Sequence, residues 1–188
     1  MARLFAMLVA IDEYLGDVPA LRGCVNDIDR ADVVLRHRAA AGHDGVVVSR
    51  VTNTDATRAA FIETFRSTFA DAGPGDTAVL YYSGHGSQEP APPEHLRYEP
   101  DGLNETLVLA DSRIPGGADL ADKELAVLVG EVAGRGAHVL VVLDCCHSGS
   151  GVRDLDGDVG VRRVRTSTAH RTADSYLPYL AGFLRPGG

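Results

Sequence analysis

Four apolar runs divide the chain. They are residues 4–11 (Leu-Phe-Ala-Met-Leu-Val-Ala-Ile), 46–51, 77–82 and 137–143. Each has strand length and β-branched or aromatic content, and each is bounded by turn formers such as Gly73-Pro74-Gly75-Asp76. The intervening segments switch to helical spacing. Ile28, Ala31, Val34 and Leu35 share one face of a helix that starts at Asn26 or Asp27 as cap and runs to about residue 41. Ala59, Ile62, Phe65 and Phe69 do the same in a helix capped by Thr54 or Asp55 and ending near residue 70. A third helix is expected over 118–134, capped near Asp119, and a short strand over 106–110. Residues 87–105, with four prolines, read as one long irregular segment, the kind that in a compact domain serves function or moves. Strands alternating with helices predict an α/β fold, a three-layer α/β/α sandwich with a mostly parallel central sheet.

At 188 residues and 45% hydrophobic, the chain can bury a core, and one domain is the default. The net charge of −8 argues against a nucleic-acid partner, which needs clustered cationic excess. It fits a soluble surface, cationic substrates or divalent cations, which the count alone does not separate. The run 4–11 is too short to span a bilayer and lacks a cleavage signature, so it reads as a first strand, with no membrane role. Three cysteines, two of them adjacent, do not make a secreted disulfide framework, and a reducing, cytoplasmic setting is expected. Lys123 is the only lysine, which reads as compositional bias.

Candidate chemistry falls at two strand ends. Residues 139–143 run into Asp144-Cys145-Cys146-His147-Ser148-Gly149, and residues 78–82 run into Ser83-Gly84-His85-Gly86. In a parallel sheet, reactive groups collect just past the carboxyl ends of strands. If the two strands are neighbours, Cys146 and His85 meet at one edge. A thiol attacks as thiolate, and an adjacent imidazole lowers its pKa and carries the proton. The backbone N–H groups of Gly86 and Cys146 are the candidate oxyanion donors. Glycines on either side of His85 leave room for a substrate backbone. Cys145 should alternate back toward the core. Zinc binding by His85, Cys145, Cys146 and His147 is disfavoured because adjacent cysteines fit two tetrahedral positions poorly. A redox vicinal dithiol is a further alternative.

Tyr81-Tyr82-Ser83-Gly84-His85-Gly86 and Asp144-Cys145-Cys146-His147-Ser148-Gly149 resemble the two catalytic motifs of the metacaspases, within the caspase-like cysteine peptidases. Leu21-Arg22-Gly23-Cys24-Val25-Asn26-Asp27 and Glu99-Pro100-Asp101-Gly102-Leu103-Asn104-Glu105-Thr106 resemble two further family segments, in order, over residues 4–150. The Gln-Ala that precedes the caspase nucleophile is replaced by Asp144-Cys145. The resemblance implies a caspase-like fold and a thiol endopeptidase with Cys146 as nucleophile and His85 as general base and acid. It also implies an S1 pocket lined by Cys24, Asp27, Ser83 and Asp144. Two carboxylates there suit a guanidinium or ammonium group, so cleavage is expected after Arg or Lys in protein or peptide substrates. Competing roles are a helix N-cap for Asp27 and a turn acid for Asp144.

Many metacaspases need calcium, and Asp101, Asp111 and Asp154 are the candidate ligands, with Asp156 and Asp158 nearby. The acidic cluster usual after the family's His motif is thin here, and solvated acids are the competing reading. Residues 1–150 read as the catalytic, large-subunit-like domain. Residues 151–188 read as linker and tail, the start of a second half. Arg162-Arg163-Val164-Arg165 in that linker is a candidate self-cleavage site, with a solvated basic linker as the alternative. A four-stranded sheet with an open edge would pair with a small-subunit partner or a second copy. The alternative to a peptidase is a partner-dependent or non-enzymatic subunit that binds basic peptides.

Overall fold

The computed structural model describes residues 2–145 and 164–177. Its centre is a parallel sheet in the order β2-β1-β3-β7, formed by β1 (Arg3–Ala10), β2 (Gly45–Thr52), β3 (Thr77–Ser83) and β7 (His138–Asp144). The expected sandwich is present. Alternate residues of β1, with Ile11 just past its end, feed two cores. Phe5, Met7, Val9 and Ile11 pack with Phe61 and Phe65 of α2 (Arg58–Thr68) and Leu125 and Leu128 of α3 (Asp122–Ala133). Leu4, Ala6, Leu8 and Ala10 pack with Cys24, Ile28 and Ala39 of α1 (Cys24–Gly42). Burial on both faces explains why β1 reads as an unbroken apolar run. Each fully buried large side chain among these contributes about 1.5–3 kcal/mol. Edge strand β7 is half-covered, with Leu140 and Leu143 exposed. Among the described residues no helix is long and apolar enough to cross a membrane.

The segment expected to be irregular holds structure. β4 (Gly86–Pro90) pairs antiparallel with β5 (Leu103–Leu107), which pairs with β6 (Leu120–Ala121), forming a second, small sheet. Gly-Ser-Gln-Glu-Pro lacks strand formers, so only pairing to β5 makes β4 a strand. The strand expected over 106–110 therefore lies earlier, and the third helix starts at Asp122 instead of 118. Asp119 is no cap. It is buried, where its Oδ2 accepts from Thr106 Oγ1 and the Arg113 guanidinium, each at 2.8 Å. In α2 the cap is Thr57, whose side chain accepts from Ala60 N, while residues 53–55 form a 3₁₀ turn. Phe61 is buried where Ala59 was expected, and Val34 of α1 is exposed.

Residues 164–177 lie against the small sheet. Val164 N donates to Gly86 O at 3.0 Å and Ser167 N to Gln88 O at 2.7 Å. Arg171 is anchored in the interior. Its guanidinium bonds both oxygens of Glu124, at 3.0 and 3.1 Å, and lies over the Tyr176 ring, 3.8 Å from its centroid. Tyr176 Oη donates to Glu89 Oε1 at 2.7 Å.

Candidate active site

The site is assembled where β1, β3 and β7 end. Ser83, the last residue of β3, sits in register with Asp144, the last residue of β7. Its hydroxyl lies 3.4 Å from Asp144 Oδ2 and 3.4 Å from Asp27 Oδ2. A loop that leaves β1 at Ile11 leads into α1, whose first turn brings Cys24 and Asp27 to the same end of the sheet. Cys24 is fully buried there. The structure thus brings Asp27, Ser83 and Asp144 together, two carboxylates on one hydroxyl. Asp27 is not the cap of α1. Asp12 fills that role, accepting from Cys24 N at 3.0 Å and Val25 N at 3.2 Å.

His85 follows β3 by two residues and is buried. Its Nε2 lies 2.8 Å from the carbonyl oxygen of Pro19. A carbonyl only accepts, so Nε2 carries a proton and the ring orientation is set by main chain. The His85 N–H donates to Tyr14 Oη at 2.8 Å, and the Tyr14 and His85 rings sit 5.2 Å apart, tilted by 38°. The His85 carbonyl accepts from Val108 N at 3.0 Å and from Tyr82 Oη at 2.8 Å. Burial pushes both phenols well above the ordinary tyrosine value, so both stay protonated. Gly86 opens β4 opposite Leu107, and its carbonyl accepts from Val164 N.

Pro19, Tyr14 and Tyr82 were not singled out from the sequence. Pro19 acts through its carbonyl, which no side-chain pattern reveals. Tyr82 sits inside the histidine motif, where its alternation with Tyr81 was the available signal. The room around Gly84 goes to these phenols: a Cβ there would lie 2.7 Å from Tyr82 Oη and 2.9 Å from Tyr14 Oη. Beyond β7, Cys145 is half-buried and packs against the core on the α2–α3 side. Cys146, the proposed nucleophile and second oxyanion donor, and Asp154 lie outside the described residues.

The other proposed calcium ligands each accept a main-chain N–H. Asp111 Oδ1 accepts from Arg58 N at the start of α2, and Asp101 Oδ1 from Leu103 N. Among the described residues no group of three or more His, Cys, Asp or Glu side chains is placed to hold a metal ion.

A parallel sheet that ends in a main-chain-held histidine on one strand, and runs toward a Cys-Cys-His-Ser-Gly segment on its neighbour, defines the class of the caspase-like cysteine peptidases. Within that class, residues 5–155 match the family described as metacaspase, peptidase C14 domain, and the chain belongs to that family. It is 32% identical over 148 residues to Metacaspase-1 of Mycosarcoma maydis, covering 77% of this chain and 35% of that protein. Metacaspase-1 of Emericella nidulans is 28% identical over 149 residues, again with 77% of this chain and 35% of the relative covered. The chain thus spans about a third of the curated relatives it matches. The crystal structure of protein GSU0716 from Geobacter sulfurreducens aligns with a TM-score of 0.62 and 30% identity, over 79% of this chain and 52% of that one.

Proposed function

We propose that the chain is the catalytic part of a cysteine endopeptidase that cleaves after Arg or Lys, with Cys146 as nucleophile and His85 as proton carrier. One observation carries the specificity: Asp27 and Asp144 converge on Ser83 at the carboxyl end of the sheet, next to His85. Two half-buried carboxylates side by side favour a guanidinium or ammonium side chain and disfavour an acidic one. In the reaction, the Cys146 thiolate forms a bond to the scissile carbonyl carbon. The peptide C–N bond breaks, and His85 delivers a proton to the leaving amine. Water then attacks the thioester, His85 takes its proton, and the thiol departs with the acid product released. The Gly86 and Cys146 N–H groups are the proposed donors to the oxyanion. Calcium activation and self-cleavage at residues 162–165 remain proposals of the same reading.

The test is a peptide panel with Arg, Lys or Asp at P1, each with and without calcium, run on the chain and on Cys146→Ala. Turnover after Arg or Lys, abolished in Cys146→Ala, is expected. Turnover after Asp would overturn the pocket assignment and leave the nucleophile standing. The half-covered edge strand β7, with Leu140 and Leu143 exposed, favours a second reading, a subunit completed by a partner. A folded chain silent on every peptide would support it.

A further inference from the structure

We infer that Tyr14 and Tyr82 form a hydroxyl clamp that positions His85 for catalysis. Their hydroxyls meet beside Gly84, where a Cβ would lie 2.7 Å from Tyr82 Oη and 2.9 Å from Tyr14 Oη. Tyr82 Oη also faces two carbonyls, His85 O at 2.8 Å and Val108 O at 2.7 Å. Carbonyls only accept, so the single Tyr82 proton goes to them. Tyr14 in turn accepts the His85 N–H at 2.8 Å. One phenol takes the N–H of His85 and the other donates to its C=O, so both main-chain groups of the residue are held by phenols.

The same loop supplies the side-chain restraint. Tyr14 and Pro19 both lie between β1 and α1, and Pro19 O takes the imidazole Nε2 at 2.8 Å. The loop itself is tied down. Asn53 Oδ1 accepts from Asp12 N and Glu13 N, Leu15 N donates to Ala110 O, and Leu21 N donates to Asp12 O. Gly16 makes the turn at φ +78°, where a Cβ would meet the Arg113 carbonyl oxygen at 2.9 Å. The clamp also accounts for Gly84, because both hydroxyls occupy the space its side chain would need.

Tyr14 acts through His85, as a positioning residue. Removing its hydroxyl leaves the buried His85 N–H without its acceptor and lets the imidazole drift, and small displacements of a catalytic group cost about 10²-fold in rate. The inference rests on the peptidase reading for its kinetic arm only. In Tyr14→Phe, kcat is expected to fall about tenfold or more with KM within about twofold, at a melting temperature only a few degrees below wild type. Gly84→Ala, which pushes the same hydroxyls apart, should show the same split. Independently of activity, the His85 amide should exchange with solvent about tenfold or more faster in Tyr14→Phe. Wild-type kcat with unchanged His85 exchange would overturn the clamp, as would parallel losses in kcat, KM and stability. If the wild type turns over no peptide, the peptidase reading fails by itself, and the exchange measurement still decides the clamp.

Discussion

Asp12 shows how much one residue can do before any chemistry begins. It follows β1 by two positions, and its carboxylate takes the first two free N–H groups of α1. Those donors have no partner within the helix, and an anion there also meets the positive end of the helix dipole. Gly23, the residue before the helix, has no side chain to do this, and its φ of +107° is a conformation glycine tolerates. With the cap supplied from the preceding loop, Asp27 can face Ser83 instead. Asp12→Ala is therefore expected to lower stability by about 1–2 kcal/mol in denaturant unfolding. It should also weaken binding of an Arg-containing peptide, because Cys24 and Asp27 ride on the end of the helix it holds. Unchanged unfolding would show that the cap carries nothing. Local patterning placed the cap at Asn26 or Asp27 because both are good N-cap types in sequence. The competing acid lies 12 residues before Cys24, and only the return of the loop makes it adjacent.

Among the elements, the small sheet was the least legible. The apolar strands of the main sheet announce themselves, since burial on both faces demands continuous hydrophobic runs. β4 does not, because its interior is polar. Ser87, Gln88 and Glu89 are all buried, and their partners come from far along the chain: Gln88 to Glu105, Ser87 to Arg113 and Arg165, and Glu89 to Tyr176. Glu124 is the hub of this network. It has no exposed surface, and it receives Arg58, both terminal nitrogens of Arg171, and the N–H groups of Ala121 and Leu177. A buried carboxylate with this many donors is well satisfied, and removing one cation exposes the cost of the arrangement. Arg171→Met is expected to destabilise the chain by about 3 kcal/mol, read by denaturant unfolding, and to release residues 164–177 from β4, read as faster exchange of the Ser167 amide. Protection at Ser167 equal to wild type would mean that the main-chain bonds to β4 hold the segment without its anchor. From sequence the same arginine belonged to the linker and tail, since nothing in the local pattern marks a guanidinium that will be buried.

For the whole molecule, the buried acids make stability depend on pH. Burial, only partly offset by Tyr176 and Arg171, raises Glu89 above the ordinary carboxylate value, and burial does the same to Asp119 despite Arg113. Each therefore binds its proton more tightly in the folded state than in the unfolded one. The slope of unfolding free energy with pH is negative wherever the folded state holds the extra proton. The contribution of these groups is full below the ordinary carboxylate pKa of about 4 and is lost as pH rises toward their folded values. Asp76 works in the opposite sense. The N–H groups of Arg3 and Gly73 hold it below the ordinary value, so its contribution is lost as pH falls through the folded pKa. Glu89→Gln is expected to flatten the fall in melting temperature as pH rises above the ordinary carboxylate value, relative to wild type. An identical pH profile in the two proteins would remove Glu89 from this account.

By itself the sequence determined the parallel α/β sandwich, its two faces, and the position of His85 just past a strand end. Those features rest on hydrophobic periodicity, which is written locally because burial on one or both faces of a strand dictates every second or every residue. It also named Asp27, Ser83 and Asp144 as one cluster through the family resemblance, and the register of β3 with β7 gives that cluster a geometry. Tertiary structure alone decided what orients the histidine, what caps α1, and how a polar strand can be buried. Pro19 acts through a carbonyl that every residue possesses, Asp12 through a loop that doubles back, and Arg171 through carboxylates 47 or more positions away in the chain. Hydrogen bonds and ion pairs between distant positions are set by distance and direction in space, and the linear order of residues carries no record of either.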